Sequence, residues 1–92
     1  MKKTTNREAI YYVKRMLDFK GSNTYGRVNS NGIYAVYSYG KHFPMYAFAN
    51  GLWYGNTDKY SSTTSRHQNQ LKPLNVDEWV NTKELTFVLN NY

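Results

Sequence analysis

The sequence predicts an α+β domain: an N-terminal helix packed on an antiparallel sheet of about four strands, then a short polar helix and a mixed tail. Three observations predict it. Apolar residues recur at three- and four-residue steps near the N-terminus, two Asn-Gly pairs separate alternating aromatic runs, and a Ser/Thr-rich stretch runs into Lys72-Pro73. The 92 residues suit one domain, 1–92, with a single modest core.

The helix is expected over residues 5–19. Thr5 and Glu8 fit a capping box, in which hydroxyl and carboxylate satisfy orphan backbone donors. Ala9, Ile10, Val13, Met16 and Leu17 form one stripe, and Lys20-Gly21 provides a basic last turn and a left-handed stop. Strands follow at Thr24–Val28, Ile33–Tyr39, Phe43–Phe48 and Leu52–Tyr54. Asn31-Gly32 and Asn50-Gly51 are hairpin signals, because both residue types accept positive φ. Gly40-Lys41-His42 reads as another turn. Pro44, which lacks an N–H, suits an edge strand or a first strand position. Thr63 or Thr64 can cap a second helix that runs to about Leu71. In the tail, Asp77–Val80 reads as a helical turn. Leu85–Leu89 alternates like a strand, whereas Asn81-x-x-Glu84 resembles a helix start.

The net charge is +6 and unevenly spread. Residues 1–72 carry a balance of +8 and residues 73–92 one of −2. A basic body favours a polyanionic partner, with nucleic acid first. The absence of cysteine excludes disulfides, thiolate metal sites and thiol nucleophiles. The basic start MKKTTNREA leads into no apolar run, so no signal peptide is expected. A cytoplasmic protein of a bacterial host cell is the corresponding expectation.

The most unusual stretch is DKYSSTTSRHQ, residues 58–68. Capping and turn formation account for some of its hydroxyls. Lys59, Tyr60, Arg66, His67, Gln68 and Gln70 exceed that need. On a helix starting near residue 64, Arg66 and Gln70 share one face with His67 beside them. Such side chains reach phosphates and base edges. Lys41, His42, Lys59, Tyr60, Arg66, His67, Gln70 and Lys72 are therefore the candidate nucleic-acid or partner-binding residues. Lys41, Lys59, Arg66 and Lys72 are expected to form a basic patch.

Other chemistry finds less support. His42 and His67 could act as acid and base in metal-free RNA cleavage, with Lys41 stabilising the phosphorane charge. Neither histidine has a motif spacing. Two histidines and scattered aspartates make no recognisable metal set, and no G-x-S-x-G turn presents a serine nucleophile. No cofactor or metal is expected, and the chain reads as a non-enzyme. The tyrosines Tyr34, Tyr37, Tyr39, Tyr46 and Tyr54 could stack bases. However, Tyr37 and Tyr39 alternate with Tyr34 and Val36, so both sheet faces carry apolar groups and the rings read first as core.

Two segments also carry a resemblance. Ser38, Tyr39, Gly40, Phe43 and Pro44 match a Ser-Tyr-Gly segment followed by an aromatic-Pro pair. Asn56, Asp58, Tyr60, Ser61, Thr63, Thr64, Ser65, His67 and Gln68 match Asn-x-Asp-x-Tyr-Ser-x-Thr-Thr-Ser-x-His-Gln. Together they resemble a small phage- and plasmid-encoded domain of unknown function. The resemblance covers about a third of the chain and implies a mobile-element origin, with no mechanism attached. The leading expectation is a non-enzymatic mobile-element accessory protein that binds nucleic acid or a nucleoprotein complex. The alternatives are an anti-CRISPR-like inhibitor of a host defence protein and a small metal-free ribonuclease.

Overall fold

A computed structural model describes residues 2–38, 43–59, 62–73 and 75–91. The turn expected at Gly40–His42 lies outside them. Among the described residues the elements are β1 (Lys2–Lys3), α1 (Asn6–Lys14), β2 (Phe19–Lys20), β3 (Thr24–Val28), β4 (Tyr34–Ser38) and β5 (Phe43–Ala49). They continue with β6 (Leu52–Asn56), α2 (Ser62–Gln70), β7 (Glu78–Val80) and α3 (Thr82–Asn91). The α+β expectation holds, but the sheet is larger than four strands. Its seven strands lie in sequence order, antiparallel from β2 to β6 and parallel at the β1–β2 and β6–β7 edges.

The parallel edges explain the placement of two helices. A parallel pair needs a crossover, usually a helix, and α1 and α2 provide it. Strands β1 and β6 run the same way, and both crossovers step in the same direction along the sheet. One handedness rule therefore puts both helices on the same face. There Ala9, Val13, Phe19, Tyr34, Val36, Phe43, Met45, Tyr46 and Leu71 form one core. On the opposite face Ile33, Ala35, Tyr37, Ala47 and Ala49 meet Leu85, Val88 and Leu89 of α3. The alanines allow the helix to approach the sheet closely. Helix α3 packs mainly over β5 and β6, so the β1–β3 half of that face extends beyond it.

Helix α1 begins as expected. Thr5 Oγ1 accepts from the Glu8 amide at 3.2 Å and donates to Glu8 Oε1 at 3.3 Å. It ends earlier than expected, and Met16 rather than Gly21 makes the left-handed stop at φ 54°. Bonds from Met16 N to Val13 O and from Leu17 N to Tyr12 O complete a Schellman cap. Met16 and Leu17 consequently leave the apolar stripe and are exposed.

The hairpin signals hold with one refinement. Asn50 and Gly51 both have positive φ, whereas in the first turn only Gly32 does. There the Asn29 side chain takes over, accepting from the amides of Asn31 and Ile33. Pro44 lies in a central strand, at a bulge where the β4–β5 register shifts and Met45 is skipped. A bulge removes the ladder bond that proline cannot make.

The tail departs furthest from expectation. Glu78–Val80 is a strand rather than a helical turn, and Thr82–Asn91 is a helix, the alternative that Asn81-x-x-Glu84 marked. The 77–80 segment is drawn onto β6 because Asp77 both donates to Trp53 O and accepts from Trp53 N, each at 2.8 Å. Asn81 and Glu84 form the capping box of α3.

Candidate nucleic-acid interface

The 58–68 stretch divides into an inward and an outward part. Helix α2 starts at Ser62, so Thr63 and Thr64 lie within its first turn rather than at its cap. His67 and Gln68 turn into the protein, at 5% and 4% exposure. His67 Nδ1 lies 2.8 Å from the hydroxyl of Ser38. Gln68 Nε2 donates to the carbonyls of Asn56 and Asp58 at 3.0 and 3.3 Å. Asn56 Nδ2 in turn donates to Pro44 O and Thr82 Oγ1. Asp58 Oδ2 accepts from Thr82 N at 2.9 Å, and this bond holds the Asp58 carboxyl below its ordinary range. Residues from both motif segments (Ser38, Pro44, Asn56, Asp58, His67 and Gln68) thus join into one network. It ties β4, β5 and β6 to α2 and to the start of α3.

Most of this network is buried. Ser38 is fully buried. His67 is held toward its neutral form, first by desolvation and then by Arg66. Asp58 directs its carboxylate at α3 rather than at the imidazole. His67 belongs to the interior and is withdrawn from the surface contacts expected of it. Among the described residues no group of three His, Cys, Asp or Glu could hold a metal ion.

Of the other expected site residues, Lys41, His42 and Tyr60 lie outside the described residues. Lys59, Arg66, Gln70 and Lys72 are exposed. Arg66 and Gln70 share a face of α2, four residues apart. Lys72 Nζ lies 5.7 Å from the ring centre of Trp79. These residues sit on the α2 and β7 side of the molecule.

A second surface forms where α3 stops covering the sheet. Lys3 pairs with Lys20, Lys20 with Tyr25, and Tyr25 with Tyr37, as successive cross-strand neighbours. Directly opposed residues point to the same side of a sheet. These four side chains therefore make one row across β1–β4, spanning roughly 14 Å at the usual strand spacing. Arg27, two residues along β3 from Tyr25, lies on the same face. Lys3, Lys20 and Arg27 are exposed, and Tyr25 is half-buried. The Tyr25 and Tyr37 rings stack 4.8 Å apart at 18°. Burial raises both phenol pKa values, partly offset by the Arg27 charge beside them.

The row borders a cleft of about 430 Å³ between the Asn29–Gly32 turn and the end of α3. Tyr25, Arg27, Asn31, Tyr37 and Asn90 line it. Asn29 and Asn31 both donate to the Leu89 carbonyl, so the turn also caps α3. No acidic residue occurs between Asp18 and Asp58, so no carboxylate from β2–β6 offsets these cations. Reading the sequence alone missed Lys3, Lys20, Tyr25 and Arg27 as a group. The signals present were this acid-free run and the alternation of TYGRV, which puts Tyr25 and Arg27 on one side.

No protein-family model, curated protein or solved structure matches the chain.

Proposed function

We propose that the protein is a non-enzymatic nucleic-acid-binding module whose main contact surface is the open half of the α3 face. One observation carries the reading: the row Lys3–Lys20–Tyr25–Tyr37, with Arg27 beside it, joins three exposed cations to a stacked aromatic pair. Cations that neutralise phosphates supply affinity, and aromatic rings supply stacking. The acid-free run favours a negatively charged partner, and the stacked rings beside the cations favour one with bases to stack. A place on a phage or plasmid rests on the two motif segments alone. Lys59, Arg66, Gln70 and Lys72 are a second exposed group on another part of the surface.

Two paired variants test which surface matters. Lys20→Ala with Arg27→Ala is expected to weaken binding to a mixed-sequence oligonucleotide at least about tenfold at low salt. Arg66→Ala with Lys72→Ala is expected to weaken it less than about threefold. The reverse order would return the interface to α2.

A protein partner is favoured by a different observation. Phe87 is 60% exposed on α3 and borders a groove with Tyr54 and Val80. In an anti-defence role, α3 would touch the protein part of a host nucleoprotein complex. Phe87→Ser would then abolish binding to that complex while leaving binding to naked nucleic acid unchanged.

A further inference from the structure

We infer that the partner of this face is a single strand, with one nucleotide seated in the cleft beside Tyr25. The inference deepens the nucleic-acid reading and rests on it. Tyr37 is 9% exposed and backs the half-buried Tyr25, so the outer ring is held rigidly against an inner one. Among the described residues Tyr37 is the only stacking partner of Tyr25. A ring fixed this way offers a base a platform without losing freedom of its own. A duplex already stacks its bases on each other and has no free base face to offer.

The cleft gives that nucleotide a place. Its volume of about 430 Å³ falls within the usual range for small-molecule sites, roughly 300–1,000 Å³. Its wall is polar where a base edge would lie. Asn31 spends one of its two amide hydrogens on the Leu89 carbonyl, which leaves the other to donate and Oδ1 to accept, and the Asn90 amide on α3 can both donate and accept. The hydroxyls of Tyr25 and Tyr37 make no hydrogen bond among the described residues. Arg27 stands beside both rings, where its guanidinium can grip the phosphate of the seated nucleotide in bidentate fashion. Lys20 and Lys3, next along the row, are placed for the phosphates that follow. The strand would cross the sheet from the cleft toward β1.

Fluorescence anisotropy can test this with a labelled mixed-sequence strand of about 12 nucleotides, as DNA and as RNA, and with the duplex of each. At least one single strand is expected to bind about tenfold or more tightly than either duplex. Tyr25→Leu, which keeps bulk but removes the ring, should erase most of that preference while thermal melting shows the fold intact. Tyr25→Phe should retain it. Equal affinity for strand and duplex, lost in Arg27→Ala but unchanged in Tyr25→Leu, would overturn the single-strand inference and leave a phosphate-binding face. Absence of binding to all four probes at low salt would instead remove the nucleic-acid reading itself.

Discussion

Tyrosine hydroxyls do much of the work of closing this small domain. Tyr34 donates to the Leu17 carbonyl just past α1, and Tyr46 to the Gln68 carbonyl in the last turn of α2. A helix end exposes carbonyls without intrahelical partners, and a ring that brings its own donor into the core can satisfy one. Burial pushes the Tyr46 phenol up to about 12, so it stays a donor throughout the physiological range. Tyr46→Phe should leave that carbonyl unsatisfied and destabilise by about 1–3 kcal/mol in a denaturant titration. Gln68→Ala should fall in a similar range, since its side chain bridges two carbonyls, whereas exposed Arg66→Ala should change stability by no more than about 0.5 kcal/mol. His67 gives a pH signature. Its pKa is lowered in the folded protein, so below the ordinary value of 6.5 the unfolded chain binds more protons. Stability contributed by the neutral imidazole is thus present above that value and lost as pH falls through it. The melting temperature should drop between about pH 7 and about pH 5, and His67→Gln should flatten that part of the curve.

At the level of elements, the parts written in local pattern were legible in the sequence. The Thr5 cap, the strands β3–β6 and the Asn50-Gly51 turn each follow from a few neighbouring residues. What escaped was written in distant partners. Glu78–Val80 is a strand because Asp77 and the β6 backbone bond to each other across more than twenty residues of chain. The two-residue strand at Lys2 forms only against Phe19–Lys20 across the α1 crossover, and Phe19–Lys20 is in turn paired with β3. The apolar character of both sheet faces was visible in the alternation of Tyr34, Val36 and Tyr37, but the sequence left open whether the segment that covers the second face is a helix or a strand. Its sequence alternates well enough to pass for a strand, and only the Asn81–Glu84 box marked the helix. The candidate site divided likewise. Exposed Arg66 and Gln70 followed from helical spacing, but the inward turn of His67 and Gln68 depends on Ser38 and Asn56 on other strands. Close contacts between elements supply a sharp test. A Cβ on Gly26 would lie 2.5 Å from both the Phe19 ring and the Tyr34 hydroxyl. Gly26→Ala is therefore expected to cost about 1–3 kcal/mol through overpacking, measurable by thermal melting.

For the molecule as a whole, topology separates structure from surface. Both crossover helices occupy one face, the motif residues lock α2 and α3 to the sheet between them, and α3 covers only part of the other face. The part left open is the one with cations and stacked rings. Among the described residues no helix is long and apolar enough to cross a membrane, and the net charge of +6 favours a polyanion as partner. The most direct measurement of that claim is the salt dependence of binding to a single-stranded oligonucleotide. Three cations on the face, Lys3, Lys20 and Arg27, predict a slope of log affinity against log salt near −2, from about −0.7 for each phosphate neutralised. In Lys20→Ala with Arg27→Ala the slope should become shallower by roughly 1.4. A slope near zero in the unmodified protein, or the same slope in the double variant, would contradict the assignment of this face as the nucleic-acid interface.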